Sequence, residues 1–242
     1  MRKFAVLLVV AAMLLVGANA LYAATSIYGI SGLIETPDDS IVGAKSVTLM
    51  ANRIFGLRTH GDAEGVDVTT FGGAVGIIPS LEISAVGIDV DVPGMNTEAL
   101  VNAKYRVLAE SVNRPSVTIG VVDIARRLDH MTDGEIDGMS SFIVVGKNIS
   151  NVAEDVSGEV SKPIKGTIGV GTGLYKGVFA GLDMSLAPKF SVAVEFLSKG
   201  IRNESTFNGI VRFQPIEALT IDAGMIGFKD FFAWASFNLS TF

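Results

Sequence analysis

Residues 164 to 239 read IKGTIGVGTGLYKGVFAGLDMSLAPKFSVAVEFLSKGIRNESTFNGIVRFQPIEALTIDAGMIGFKDFFAWASFNL. Taken two at a time, they fall into runs with one apolar side. Ile164, Gly166, Ile168, Val170, Thr172 and Leu174 alternate with Lys165, Thr167 and three glycines. Val178, Ala180, Leu182, Met184 and Leu186 alternate with Phe179, Gly181, Asp183 and Ser185. Phe190, Val192, Val194 and Phe196 alternate with Ser191, Ala193 and Glu195. Phe207, Gly209, Val211 and Phe213 stand against Asn208, Ile210 and Arg212. Leu219, Ile221, Ala223 and Met225 stand against Thr220, Asp222 and Gly224, and Ala233, Ala235, Phe237 and Leu239 against Ser236 and Asn238. A side-chain period of two is that of a β-strand. Six such runs with short turns between several of them predict an antiparallel meander. In a soluble sandwich the apolar faces would pack on one another. In an outer-membrane barrel they would meet lipid, and the polar face would line the lumen.

The start of the chain favours the membrane. Arg2 and Lys3 precede an apolar run from Phe4 to Val16, followed by small residues at Ala18, Ala20 and Ala23. This is the pattern of a cleaved signal peptide, with removal expected between Ala20 and Ala24. The run is too short for a spanning helix, and no later segment is long enough for one. Residues 1–24 are therefore read as signal peptide, 25–44 as a separate N-terminal segment and 45–242 as one barrel.

Upstream of the quoted stretch, further strands are expected at Lys45–Ile54, Val66–Ile77, Leu81–Val90, around Ala99–Val107, Ser116–Ile124 and Ser140–Ile149. The first has Val47, Leu49 and Ala51 outward with Ser46, Thr48 and Asn52 inward. The third is blurred, and a bulge is expected in it. The fold class is thus all-β: a closed antiparallel up-and-down transmembrane β-barrel of about twelve strands. An even count puts short turns at the periplasmic end and longer loops outside. Ile78-Pro79-Ser80, Ala187-Pro188-Lys189 and Gln214–Ala218 suit the first; Leu57–Gly65, Ala125–Met139 and Ser198–Ser205 suit the second. Asn151–Pro163 and Tyr175-Lys176-Gly177 break the rule. Phe196 with Phe207 and Phe190 with Phe213 would place aromatics at both ends of one hairpin, as interfacial girdles require. The terminal Phe242 fits the assembly signal of such barrels, although strict alternation puts it in phase with Trp234.

Thr25–Ser40, TSIYGISGLIETPDDS, does not alternate, and Pro37-Asp38-Asp39 makes a turn. It lies either in the periplasm or in the lumen as a partial plug. SGLIETPDDS resembles the Gly-Leu-Ile-x-Thr-Pro opening of YjbH-like outer-membrane proteins, a family linked by name to exopolysaccharide production; Gly32, Leu33, Ile34, Thr36 and Pro37 carry the motif. The run from Phe179 to Met225 is similar to that family's closing hairpins, with Glu195 in an L-x-x-E strand and Asn208, Gly209, Arg212, Phe213 and Pro215 in N-x-G-x-R-(F/Y)-x-P. Asp38-Asp39 departs from the family's usual Thr-Ala, and the chain is much shorter than full-length members. The resemblance implies location and architecture, without a defined activity.

Composition narrows the chemistry. No cysteine is present, which removes disulfides, thiol nucleophiles and thiolate metal sites. A net charge of −6 argues against a nucleic-acid partner. The two histidines, His60 and His130, fall in expected outer loops, away from any serine on an alternating strand. A lipid-modifying barrel enzyme is therefore the alternative and not the main reading, with a secreted β-sandwich binding module as a third. The loop around His130, LDHMTDGEID, is acidic, and its spacing does not match a calcium loop, so no metal or cofactor is expected. Alternation points Lys104, Arg106, Lys165, Asp183, Glu195, Arg212 and Asp222 into the lumen. Two outcomes are open: a salt-bridged, filled interior, or a narrow charged pore for polar solutes. Glu195 and Arg212, on adjacent strands, are the first candidates for a lumen pair. The expected role is a non-enzymatic envelope or passive-transport barrel. Its partners would be outer-membrane lipid, the barrel assembly machinery, and small polar solutes or polysaccharide.

Overall fold

A computed structural model of the chain describes residues 24–58, 65–128, 138–150, 163–199 and 204–240. The alternating runs all become strands: β1 (Ser46–Leu57), β2 (Val66–Ile78), β3 (Leu81–Val90), β4 (Glu98–Leu108), β5 (Ser116–Val122), β6 (Ser140–Asn148), β7 (Ile164–Gly171), β8 (Gly177–Ala187), β9 (Phe190–Leu197), β10 (Thr206–Ile216), β11 (Leu219–Ile226) and β12 (Asp230–Ser240). Each pairs antiparallel with its sequence neighbour, and β1 pairs with β12 from Ser46↔Ser240 to Ile54↔Phe232, which closes the twelve strands into a barrel. Closure pairs every strand on both sides, so no edge is left to template further pairing. The sandwich alternative is thereby overturned: a single sheet closes on itself, and a set of apolar residues on every strand points away from the interior.

The outward face carries Leu49, Phe71, Val101, Val107, Ile119, Ile143, Ile168, Val194, Val211 and Ile221, all exposed. Their chain neighbours point inward and most are buried, as in β1, where burial and exposure alternate from Thr48 to Ile54. The expected aromatic pairs form: ring centroids of Phe190 and Phe213 are 4.7 Å apart, and those of Phe196 and Phe207 4.9 Å. Most short and long connections sort to opposite ends, giving a turn mouth and a loop mouth, but the long β6–β7 connection falls at the turn mouth and the short β7–β8 and β11–β12 connections at the loop mouth.

Two local expectations fail. The bulge read into the third strand is not there; β3 alternates regularly, and the register shift lies at Gly76/Ile78 of β2, beside the turn. Leu174, expected on the outward apolar face, is buried inside. The chain leaves β7 after Gly171, and Gly173 takes a left-handed φ of 59° that few other residues tolerate. A 3-10 turn then folds Leu174 and Tyr175 over the barrel interior. His60, His130, Phe242 and most of Asn151–Pro163 lie outside the described residues, as does the expected signal peptide up to residue 23.

The interior is divided along its axis. Toward the loop mouth it is apolar, with Ile54, Leu57, Ile88, Leu100, Val122, Phe142, Phe179, Leu197, Ile226 and Phe232 in one buried cluster. Toward the turn mouth it carries Lys104, Arg106, Lys165, Asp183, Arg212 and Asp222. The segment upstream of β1 occupies the space between. Every residue from Thr25 to Asp39 is buried, and Ile27, Tyr28, Ile30, Leu33 and Ile34 join the apolar cluster. Of the two places open to this segment, it takes the lumen.

Candidate functional site

The plug has little regular structure, so its backbone N–H groups need acceptors that a helix or sheet would otherwise supply. Two wall carboxylates provide them. Glu195, buried on β9, accepts from the backbone N–H of Ile34 at 3.1 Å, Glu35 at 2.8 Å and Thr36 at 3.0 Å, and from the Thr36 hydroxyl at 2.6 Å. Glu82, buried on β3, accepts from the N–H of Ser31 at 2.7 Å and of Val42 at 2.9 Å, and from the Ser31 hydroxyl. Asn208 on β10 steadies the first cradle, since its amide donates to Glu195 and to Glu35, each at 2.8 Å. Asn102 on β4 donates to the carbonyl of Tyr28 at 2.8 Å. Charged acceptors make such bonds roughly twice as strong as neutral ones.

Cations hold the other limb. Lys104, whose side chain is fully buried, donates to the Ser31 carbonyl at 2.6 Å and pairs with Asp38 at 3.3 Å. Lys165 bridges both aspartates, at 3.4 Å from Asp38 and 2.7 Å from Asp39. The Ser116 hydroxyl donates to the Asp39 carboxylate, and Thr118 to the Asp39 carbonyl at 3.2 Å. Gly146 makes this approach possible, because a side chain there would collide with the Asp39 carboxylate. Burial alone would push the Asp38 carboxyl up; the ammonium groups of Lys165 and Lys104 and two hydrogen bonds from Ser40 outweigh it and hold Asp38 below the usual carboxylate range.

The expected Glu195–Arg212 pair is not made. The two lie on adjacent strands, but the register sets Glu195 opposite Asn208 and Arg212 opposite Ser191. Arg212 turns instead to Asp222 on β11 and Asp183 on β8, both at 3.1 Å. The structure thus separates the charges expected in the lumen into three uses: Glu195 cradles the plug, Lys104 and Lys165 latch it, and Arg212, Asp183 and Asp222 form a wall triad. Among the described residues, the Arg106 guanidinium reaches only the Asp39 carbonyl, at 3.4 Å.

The two stretches that carry the YjbH-like resemblance touch each other. Ile34 and Thr36 of the opening motif sit on Glu195 of the closing one, with Asn208 alongside. Leu33 packs against the wall at Gly181. Glu82, Asn102, Asp38 and Asp39 were absent from the expected site. Alternation with Ile83 and Ala85 would have pointed Glu82 inward, had β3 been read as regular.

Beside the latch a cavity of about 600 Å³ reaches the turn mouth; Arg106, Lys165, Asp183 and Arg212 line it, with Asp38 and Asp39 of the plug. Ala24 and Ala44, at the two ends of the plug, also line it.

No protein-family model and no curated protein matches the chain. Among solved structures, a KdgM porin is similar with a TM-score of 0.50 at 10% identity, over 81% of this chain and 99% of that one. A chain from a study of the mechanism behind in-meso crystallization of membrane proteins aligns with a TM-score of 0.38 at 9% identity, over 80% and 83%. The first likeness is one of fold: a closed antiparallel barrel shared with a porin.

Proposed function

We propose that this chain is a non-enzymatic, porin-like barrel of the bacterial outer membrane, held closed by its own N-terminal segment. The observation that carries this reading is the pairing of a closed barrel with a continuous exposed apolar wall. A surface of that extent is unfavourable in water and favourable against acyl chains, where closed barrels are the one sheet structure that satisfies every backbone group. The porin likeness supports the same architecture. The filled lumen adds the second half: among the described residues the apolar cluster and the plug occupy the bore, so passive transport requires the plug to move. Small polar solutes or a polysaccharide are the candidate cargo, the latter on the YjbH-like motifs, and the barrel assembly machinery and outer-membrane lipid are the partners.

The test has two readouts. The full chain should fractionate with outer membranes and migrate faster on gels before heating than after. In planar bilayers it should conduct weakly, and a chain lacking residues 25–40 should conduct steadily. Recovery in the soluble fraction would sink the membrane assignment. A plug-deleted barrel that still shows heat-dependent migration yet passes no current would sink the channel and leave a structural wall protein.

A further inference from the structure

We infer that the cavity at the turn mouth is a binding site for a small carboxylate-bearing solute, with Arg106 as its principal contact. The wall already displays this chemistry. Asp39 of the plug sits in it as a resident carboxylate, paired with Lys165 at 2.7 Å and hydrogen-bonded by the Ser116 hydroxyl. Charge pairing then decides what further ligand the adjoining space takes. The carboxylates that line it are all engaged: Asp38 and Asp39 by Lys165, Asp183 by Arg212, and Glu110 by Lys147 at 3.7 Å and the Asn148 N–H at 2.8 Å. The free donors are cationic. Arg106 offers its guanidinium to a single carbonyl at 3.4 Å and to no carboxylate among the described residues. Arg212 uses Nε and Nη1 on its two aspartates, while its buried Nη2 has no partner. A guanidinium fork matches a carboxylate in two parallel hydrogen bonds, which a neutral amide of the same shape cannot reproduce.

A volume of about 600 Å³ suits a small organic acid beside the latch without displacing the plug. Access is from the turn mouth, since the apolar cluster closes the other end. The site therefore faces the compartment in which the short turns lie, and its occupancy requires the cavity but no conduction. Its failure and the failure of the channel reading are separable for that reason.

Trp234 supplies the reporter. It is the sole tryptophan of the chain, buried on β12, and it stands opposite Asp222, the carboxylate that holds Arg212. The full chain folded in detergent is titrated with succinate, and with uncharged succinamide as the matched control. The expected result is a saturable change in Trp234 fluorescence with succinate, absent with succinamide. Arg106→Gln should weaken succinate binding about tenfold or more, as loss of a charged hydrogen-bonding partner does. Arg106→Lys should recover part of it. Because Arg106 makes one long bond to the plug, its replacement leaves the latch lysines in place, and heat-dependent gel migration checks the fold. Equal responses to succinate and succinamide, no saturable response, or unchanged affinity in a folded Arg106→Gln chain would each overturn the assignment.

Discussion

Asp38 shows how one side chain sets the conditions under which the lumen stays closed. It is buried, yet Lys165 and Lys104 keep it ionised with its titration shifted below that of an ordinary aspartate. A carboxyl whose folded pKa is depressed contributes stability that is complete above its unfolded value, near ~3.9, and that drains away as pH falls from there through the lowered folded value. The latch should thus hold at neutral pH and weaken below about pH 4. Protease accessibility of the segment 25–44, followed against pH, measures it. Asp38→Asn should remove this acid step and leave the segment looser at pH 7. An acid step of unchanged size in that variant would show that another group controls release. The position was hard to find from sequence because Asp38 and Asp39 sit in a turn outside any alternating run, where charges normally mark solvent.

At the level of the strand, the period of two carried nearly all the information, since a wall with exposed apolar side chains on one side and a packed lumen on the other separates the two faces sharply. Val211 is exposed at the middle of β10, and its register partners Val192 and Ala223 continue the apolar face. On the proposed outer-membrane reading, Val211→Arg should cost about 2–4 kcal/mol near the bilayer midplane, read as a lower midpoint for denaturant unfolding from lipid. Arginine at Arg53, near the loop mouth, is tolerated on the same face, where it pairs with Asp67 at 2.7 Å. Where the period misled, a local backbone event was responsible. Leu174 kept the phase of its run, but the glycines before it let the chain leave the sheet and carry it inside. Glu195 and Arg212 are on adjacent strands and do not pair with each other: Glu195 meets the plug and Arg212 meets Asp222 and Asp183. Alternation fixes a face, whereas partners depend on register and on what else enters the space. Here that was a segment with no period at all, whose backbone outbid Arg212 for the glutamate.

For the molecule as a whole, the barrel seam and the plug are mechanically distinct. The seam is the β1–β12 ladder, where Thr48 and Asn238 face inward and hydrogen-bond at 2.6 Å. The native chain has no cysteine, so a Thr48→Cys, Asn238→Cys pair can be oxidised cleanly across it. With the seam locked, acid should still expose residues 25–44 to protease as it does in the unlocked chain. Protection of the segment by the lock would mean that release proceeds through opening of the wall.

Both ends of that segment, Ala24 and Ala44, lie at the same mouth. It is therefore a looped cork on a tether, inserted from below, and not a thread drawn through a ring. Such a cork can be withdrawn and reseated with the staves untouched. It can also be fitted after the cask is closed, which frees assembly of the wall from any need to build around an occupant.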